Sequence, residues 1–339
     1  MTKSIIQRFF VFTIAVLVTA IAVVLYFLIS NKAPLLYGKV DFQVSYKKDL
    51  FLDIYYPTSQ KFAKSPVILY FHGGAWVTGI KGSVNTNKFN GAFNRLRANG
   101  YTVVSAEYTL AKEGYSPFPD CIRDGYDVIK WIENNADSLN LDLDNFGLMG
   151  ESAGGQIAML NAFADPINYG LRKSKPNLKY VVDIYGPTDL YNLYKSPTID
   201  SVSKFIQKFP EPIQKQLDIP KRVFGFDPEL DTAKAMNFAL KFSPLTYLSK
   251  DVPPMLIIHG DEDILVPIKQ SRALQAGLVS LGIKSEFHAV QGMNHAFRGA
   301  TKEQKDSVQF WISDFIMKQY SSRLANKARF IDDSNEQEL

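Results

Sequence analysis

One cysteine, Cys121, and four histidines, His72, His259, His288 and His295, are all that 339 residues contain of these two types. A single thiol excludes an intramolecular disulfide framework and a thiolate zinc cage. So few imidazoles argue against a His-rich metal site, and no metal or organic cofactor is expected. Charge of one sign is scarce too. Against 38 Lys+Arg stand 34 Asp+Glu, a net charge of +4, and neither sign forms a long block. Nucleic-acid binding asks for a basic stripe or a strongly basic domain, and the sequence offers neither. Internal repeats and low-complexity linkers are also missing. What is present is apolar. With 46% hydrophobic and 21% charged residues, the chain is excluded from the disordered class and can bury a sizeable core. Composition says nothing of oligomeric state.

The apolar content is uneven. From Phe9 to Ile29 no residue is charged, a run of the roughly 20 residues that cross a bilayer as a helix. A signal peptide has a shorter apolar region, about 7–15 residues, followed by a small-x-small cleavage site. The nearest such match, Val18-Thr19-Ala20, falls inside the run. The expectation is an uncleaved single-pass anchor over residues 9–29, with short flanks over 1–33, a lipid bilayer as partner, and the body of the chain outside the cytoplasm. Lys3 and Arg8 precede the run and Lys32 and Lys39 follow it, so charge does not orient it.

Beyond Pro34 the pattern is that of one domain over 34–325 with a flexible polar tail over 326–339. Val40–Ser45 and Leu50–Tyr56 read as a hairpin. Val67–Phe71 is continuously apolar, as a strand buried on both faces must be. Tyr101–Ala106, Asn145–Met149, Tyr180–Tyr185, Met255–His259 and Ser285–Val290 repeat that signature. Between them lie stretches of helical length at Gly91–Asn99, Cys121–Asn135, Ala153–Ala164, Ile268–Leu281 and Lys302–Asn326. Alternating strands and helices specify an α/β fold, a mostly parallel twisted sheet with helices on both faces, whose ligands sit at the carboxyl ends of the strands. Residues 187–252 break the rhythm and read as a helical insertion, either a lid or cap over those ends or an elaborated crossover. Its aromatics, Tyr191, Tyr194, Phe205, Phe209, Phe224 and Phe226, form its own core or line a cleft.

Chemistry-bearing residues follow the predicted strands. Gly150-Glu151-Ser152-Ala153-Gly154 joins a strand to a helix, the context in which a G-x-S-x-G turn pushes a Ser hydroxyl out at the top of the sheet. His72-Gly73-Gly74-Ala75-Trp76 follows Val67–Phe71. Its glycines let backbone N–H groups approach a substrate oxygen, so Gly73 and Gly74, with the Ala153 N–H, are candidates for an oxyanion hole. His72 itself is expected to position the loop, and Trp76 to pack beside the site. His259-Gly260-Asp261-Glu262-Asp263 brings carboxylates to the same edge, and Gly292-Met293-Asn294-His295 brings an imidazole. A Ser nucleophile needs a base, and the base needs a carboxylate. The chain order Ser…Asp…His is the one this fold uses, with Asp261 and Asp263 both open as the acid. His288 is left to packing.

From about residue 40 to 320 the chain resembles the α/β-hydrolase fold. More narrowly, its four motifs are similar to those of esterases with an HGG loop, the hormone-sensitive-lipase-like and related carboxylesterase group. A fifth segment, Glu107-Tyr108-Thr109-Leu110-Ala111 with Phe118-Pro119-Asp120, resembles that group's, which carries Arg where Thr109 stands, so a local ion pair is expected to be missing. The resemblance implies a carboxylic ester hydrolase acting on a small-molecule ester, with a short-to-medium acyl chain or an acylated carbohydrate. It assigns Ser152, His295 and Asp263, rather than Asp261, to the triad. Trp76, Glu151 and Tyr185 are the residues expected to touch substrate. The short stretch before the HGG strand leaves no room for that group's N-terminal cap, so a cap falls to the insertion. Two other classes stay open. One is a serine peptidase of the same fold, disfavoured without a propeller-sized domain. The other is a non-enzymatic binding protein, which ordinarily loses the nucleophile or the base.

Overall fold

A computed structural model describes residues 38–85, 89–172, 174–208 and 210–336. Eight strands form one sheet in the order β1-β2-β4-β3-β5-β6-β7-β8. β1 (Val40–Lys47) and β2 (Leu50–Tyr55) are the expected hairpin, and β2 continues antiparallel onto β4 (Thr102–Ala106). The remaining pairings, through β3 (Ser65–Phe71), β5 (Leu141–Glu151), β6 (Val181–Ile184), β7 (Met255–Gly260) and β8 (Ser285–Val290), are parallel. β3, β4, β6 and β7 are buried at every position, which is why their sequences show no alternation.

Helices cover both faces because parallel strands need crossovers. α1 (Asn90–Ala98) follows β3, α2 (Asp120–Asn135) follows β4, and α3 (Ala153–Phe163) follows β5. Every residue of α3 is buried. Five short helices separate β6 from β7: α4 (Leu190–Tyr194), α5 (Pro197–Ile206), α6 (Glu211–Leu217), α7 (Ile219–Phe224) and α8 (Thr232–Lys241). α9 (Lys269–Ser280) and α10 (Lys302–Glu336) flank β8. Two apolar layers result. One joins α2, α3 and the inserted helices to the sheet; the other joins α1 and α10 to the opposite face. Within the first, Tyr194 and Phe224 are buried and their rings meet, while Phe205 is exposed.

Two expectations change here. Among the described residues no helix is long and apolar enough to cross a membrane. The longest, α10, carries charged residues along its whole length. The anchor expected over 9–29 lies outside the described residues, and the membrane-held, extracytoplasmic placement is therefore withdrawn. Second, α10 runs past Asn326 to Glu336, so most of the stretch expected as a polar tail is helical; it contains no Pro or Gly to stop it. At Thr109 the link to the neighbouring acid is made by the backbone N–H. The fully buried Asp124 accepts the Thr109 N–H at 2.8 Å and pairs with Lys47 of β1 at 2.6 Å.

The centre of the sheet should be the part least tolerant of truncation. Leu69 of β3 is fully buried between two paired strands. Leu69→Ala should cost about 3 kcal/mol in urea denaturation, and a loss below ~1 kcal/mol would contradict this packing.

Candidate active site

Ser152 stands between β5 and α3 at φ +51° and ψ −121°, a conformation that L-residues avoid and that persists only when its surroundings enforce it. The enforcement is steric. A Cβ on Gly150 would lie 2.1 Å from the Gly154 carbonyl oxygen, and one on Gly154 would lie 2.2 Å from the Phe71 carbonyl oxygen. α3 thus approaches the backbone of β3 closer than any side chain permits. The Ser152 N–H donates to the Ile184 carbonyl at 2.8 Å and ties the turn to β6.

The loop after β3 lies directly against this turn. A Cβ on Gly73 would sit 3.4 Å from the Ser152 Cβ. Gly74 has φ +125°, followed by Ala75 at +52° and Trp76 at +59°. The Gly74 carbonyl accepts the N–H groups of both Val77 and Thr78 at 3.1 Å, closing the loop. Among the described residues the Gly73, Gly74 and Ala153 N–H groups have no acceptor. His72 is buried, stacks on Tyr108 at 4.4 Å and places Nδ1 2.7 Å from the Gly73 carbonyl. Burial lowers its pKa, against the pull of that carbonyl and of Glu151 and Glu107.

Two further loops meet the serine. His295 Nε2 lies 3.0 Å from Ser152 Oγ, and His295 Nδ1 lies 2.6 Å from Asp263 Oδ2. A carboxylate only accepts, so Nδ1 carries the proton and Nε2 is free to accept from the serine hydroxyl. Asp263 Oδ1 accepts the N–H groups of Leu265 and Val266, both at 2.9 Å. Burial alone would raise the Asp263 pKa. Hydrogen bonds from His259 and His295, the His295 charge and the Val266 N–H outweigh it and hold the group at about 2. Asp261 is used elsewhere: it accepts the Gly292 N–H at 2.6 Å. The Glu262 N–H donates to the Met293 carbonyl, and Asn294 Oδ1 accepts from both His295 and Ile264. The acid and base loops are therefore stitched to each other before either meets Ser152.

Ser152, Asp263, His295, Gly73, Gly74 and Ala153 are thus brought together. Trp76, Glu151 and Tyr185 are held by neighbours around the site. Tyr185 is 1% exposed. Its hydroxyl donates to Glu151 at 2.6 Å, and its ring packs against His295 at 4.8 Å. Glu151 also accepts from the Tyr70 hydroxyl at 2.6 Å. Trp76 is 5% exposed and donates its indole N–H to Gln156. Sequence reasoning passed over Tyr70, Gln156 and Ser271. Ser271 holds His259 Nδ1 at 2.7 Å, while His259 Nε2 donates to the Val266 carbonyl at 2.7 Å. Gln156 alone left a trace in the sequence, one helical turn beyond Ser152. Also unforeseen is Asp183 beneath the elbow, which burial raises to about 7 against the His259 charge and the Gly186 N–H.

A parallel sheet with an antiparallel hairpin at one edge, a strained serine after β5, an acid loop after β7 and a base loop after β8 define an α/β-hydrolase. The BD-FAE family model matches residues 52–278, and the chain belongs to this α/β-hydrolase esterase group, related to hormone-sensitive-lipase-like carboxylesterases. An AB hydrolase superfamily protein of Schizosaccharomyces pombe is 38% identical over 234 residues, 68% of this chain and 62% of that one. Esterase LipQ of Mycobacterium tuberculosis is 26% identical over 265 residues, 77% of this chain and 57% of that one. The chain thus spans little more than half the length of that relative. Among solved structures, a truncated carbohydrate esterase from gut microbiota superposes with a TM-score of 0.65 at 23% identity, over 85% of this chain and 99% of that one.

The depressed acid fixes a sign. Asp263 has a folded pKa of about 2 against an ordinary 3.8, so its stabilisation is present above about pH 4 and lost as pH falls toward 2. The stability gap between wild type and Asp263→Asn, followed by urea denaturation from about pH 6 to about pH 2, should shrink over that window. A gap independent of pH would contradict the assignment.

Proposed function

We propose that the protein hydrolyses carboxylic esters through an acyl-Ser152 intermediate. What carries the reading is the unbroken line Asp263 Oδ2–His295 Nδ1 at 2.6 Å and His295 Nε2–Ser152 Oγ at 3.0 Å, ending on a serine at φ +51°. His295 takes the Ser152 proton as Oγ attacks the ester carbonyl carbon. Asp263, ionised down to about pH 2, holds the imidazole in the required tautomer and stabilises the imidazolium. The Gly73, Gly74 and Ala153 N–H groups receive the oxyanion of the tetrahedral intermediate. Its collapse breaks the bond to the alcohol, which leaves with the proton from His295. Water then repeats the sequence on the acyl-enzyme and frees the acid.

Relatives named as esterases share the family, and they support an ester rather than an amide as substrate. The proposed substrate is a small ester of short to medium acyl chain, or an acylated carbohydrate.

Ser152→Ala should lower kcat for p-nitrophenyl acetate by roughly a thousandfold or more and abolish labelling by a fluorophosphonate. Wild-type turnover by Ser152→Ala would overturn the reading. A panel of p-nitrophenyl esters of increasing chain length, with acetylated sugars beside it, sets the acyl preference.

A further inference from the structure

Gln156 is fully buried on α3, where a polar side chain persists only with its hydrogen bonds made. Its partners come from three parts of the chain. Its N–H donates to the Ser152 carbonyl at 3.2 Å. Its Oε1 accepts the Trp76 indole N–H at 3.1 Å, and its Nε2 donates to the Phe242 carbonyl at 2.7 Å. An indole can only donate and a carbonyl can only accept, so the carboxamide has one orientation. Phe242 caps α8, the last inserted helix, and its ring packs against Phe118 and Phe238, with Phe118 reaching Trp76 at 5.6 Å. Trp76 in turn belongs to the closed loop that begins at Gly73 and Gly74. Its own backbone sits at φ +59°, and its carbonyl accepts the Ala111 N–H at 2.7 Å.

We infer that Gln156 is a positioning residue for the oxyanion hole, and that through it the insertion acts as a buttress of the oxyanion loop. The loop holds strained residues that would relax if Trp76 were released. Oxyanion donors act only when preorganised. Gln156 fixes the side chain of Trp76 to the helix that carries Ser152 and Ala153, so the two halves of the hole keep one relative position. The end of α8 completes the bracket by holding the other side of the same carboxamide.

The inference rests on the acyl-serine reading above, and its test separates the two. Gln156→Leu leaves the Trp76 N–H and the Phe242 carbonyl unpaired. It should lower kcat for p-nitrophenyl acetate about tenfold or more while KM stays within about twofold, and weaken a trifluoromethyl ketone inhibitor by a similar factor. Trp76→Phe, which keeps a ring without the N–H, should lose a comparable factor. The double variant should lose little beyond either single one. Gln156→Glu supplies a readout that mere packing does not move. Protonated, the acid donates to the Phe242 carbonyl and accepts from Trp76; ionised, it sets a carboxylate against a carbonyl. Its kcat should therefore fall with rising pH through an ionisation absent from wild type. If Gln156→Leu does not fold, Gln156→Glu and Trp76→Phe carry the test. Wild-type kcat and inhibitor affinity in these variants, additive losses in the double variant, or an unaltered pH profile for Gln156→Glu would each overturn the inference. A wild-type protein that labels with a fluorophosphonate at Ser152 while the variants keep full kcat removes this inference alone. A wild type that neither labels nor hydrolyses removes the proposed function.

Discussion

The approach of α3 to the backbone of β3 governs the rest of the site. Where Gly154 meets the Phe71 carbonyl there is no space for even a methyl group. That contact forces the chain to turn sharply at Ser152 and holds it at a positive φ. The hydroxyl is then presented above the sheet, with the first N–H groups of a helix behind it. The same closeness sets Gly73 beside Ser152, because the loop leaves β3 where the helix begins. Positive φ values recur around this point, at Ala75, Trp76, Ser152, Tyr185, Ala296 and Phe297. Such strain is sustained by a well-packed scaffold, and α3, buried along its whole length, supplies one.

Electrostatics follow from the packing. Asp263 is buried, yet it is surrounded by donors: two backbone N–H groups and two imidazoles. A buried carboxylate with four such neighbours stays ionised. Asp183, scarcely farther into the fold, has one backbone donor and a second oxygen without a partner, and its carboxyl rises to about 7. Burial pushes both acids up; at Asp183 it prevails, and at Asp263 the donors outweigh it.

Much of this was legible in the sequence because it is local. Buried strands announce themselves by continuous apolar runs, and glycines mark the turns that follow them. Ser152, Asp263 and His295 each stand a few residues past such a strand, so residue type and strand end together located them. What stayed hidden depends on partners far along the chain. Gln156 meets Trp76 and Phe242, some 80 residues to either side. Tyr70 reads as an ordinary apolar strand residue, and Tyr185 and Glu151 as substrate contacts, until Glu151 is placed between the two tyrosine hydroxyls. Spacing left Asp261 and Asp263 equal; the stitching of Asp261 to Gly292 separates them. Lys47 could not be matched to Asp124 before the hairpin was docked on α2.

The inserted helices leave the sheet after β6 and return at β7, and these two strands are neighbours paired in parallel. The sheet is therefore continuous beneath the insertion, which packs onto it in the same apolar layer as α2 and α3. A segment with adjacent entry and exit points can lengthen, shorten or be exchanged at a small entropic cost. The insertion is tied to the oxyanion loop at its last turn, where Phe242 meets Gln156, and at α7, where Arg222 donates to the Ala111 carbonyl at 3.0 Å. A change of length in the outer helices would therefore leave the pairing of β6 with β7 in place, while the final turn of α8 stays bound to Gln156.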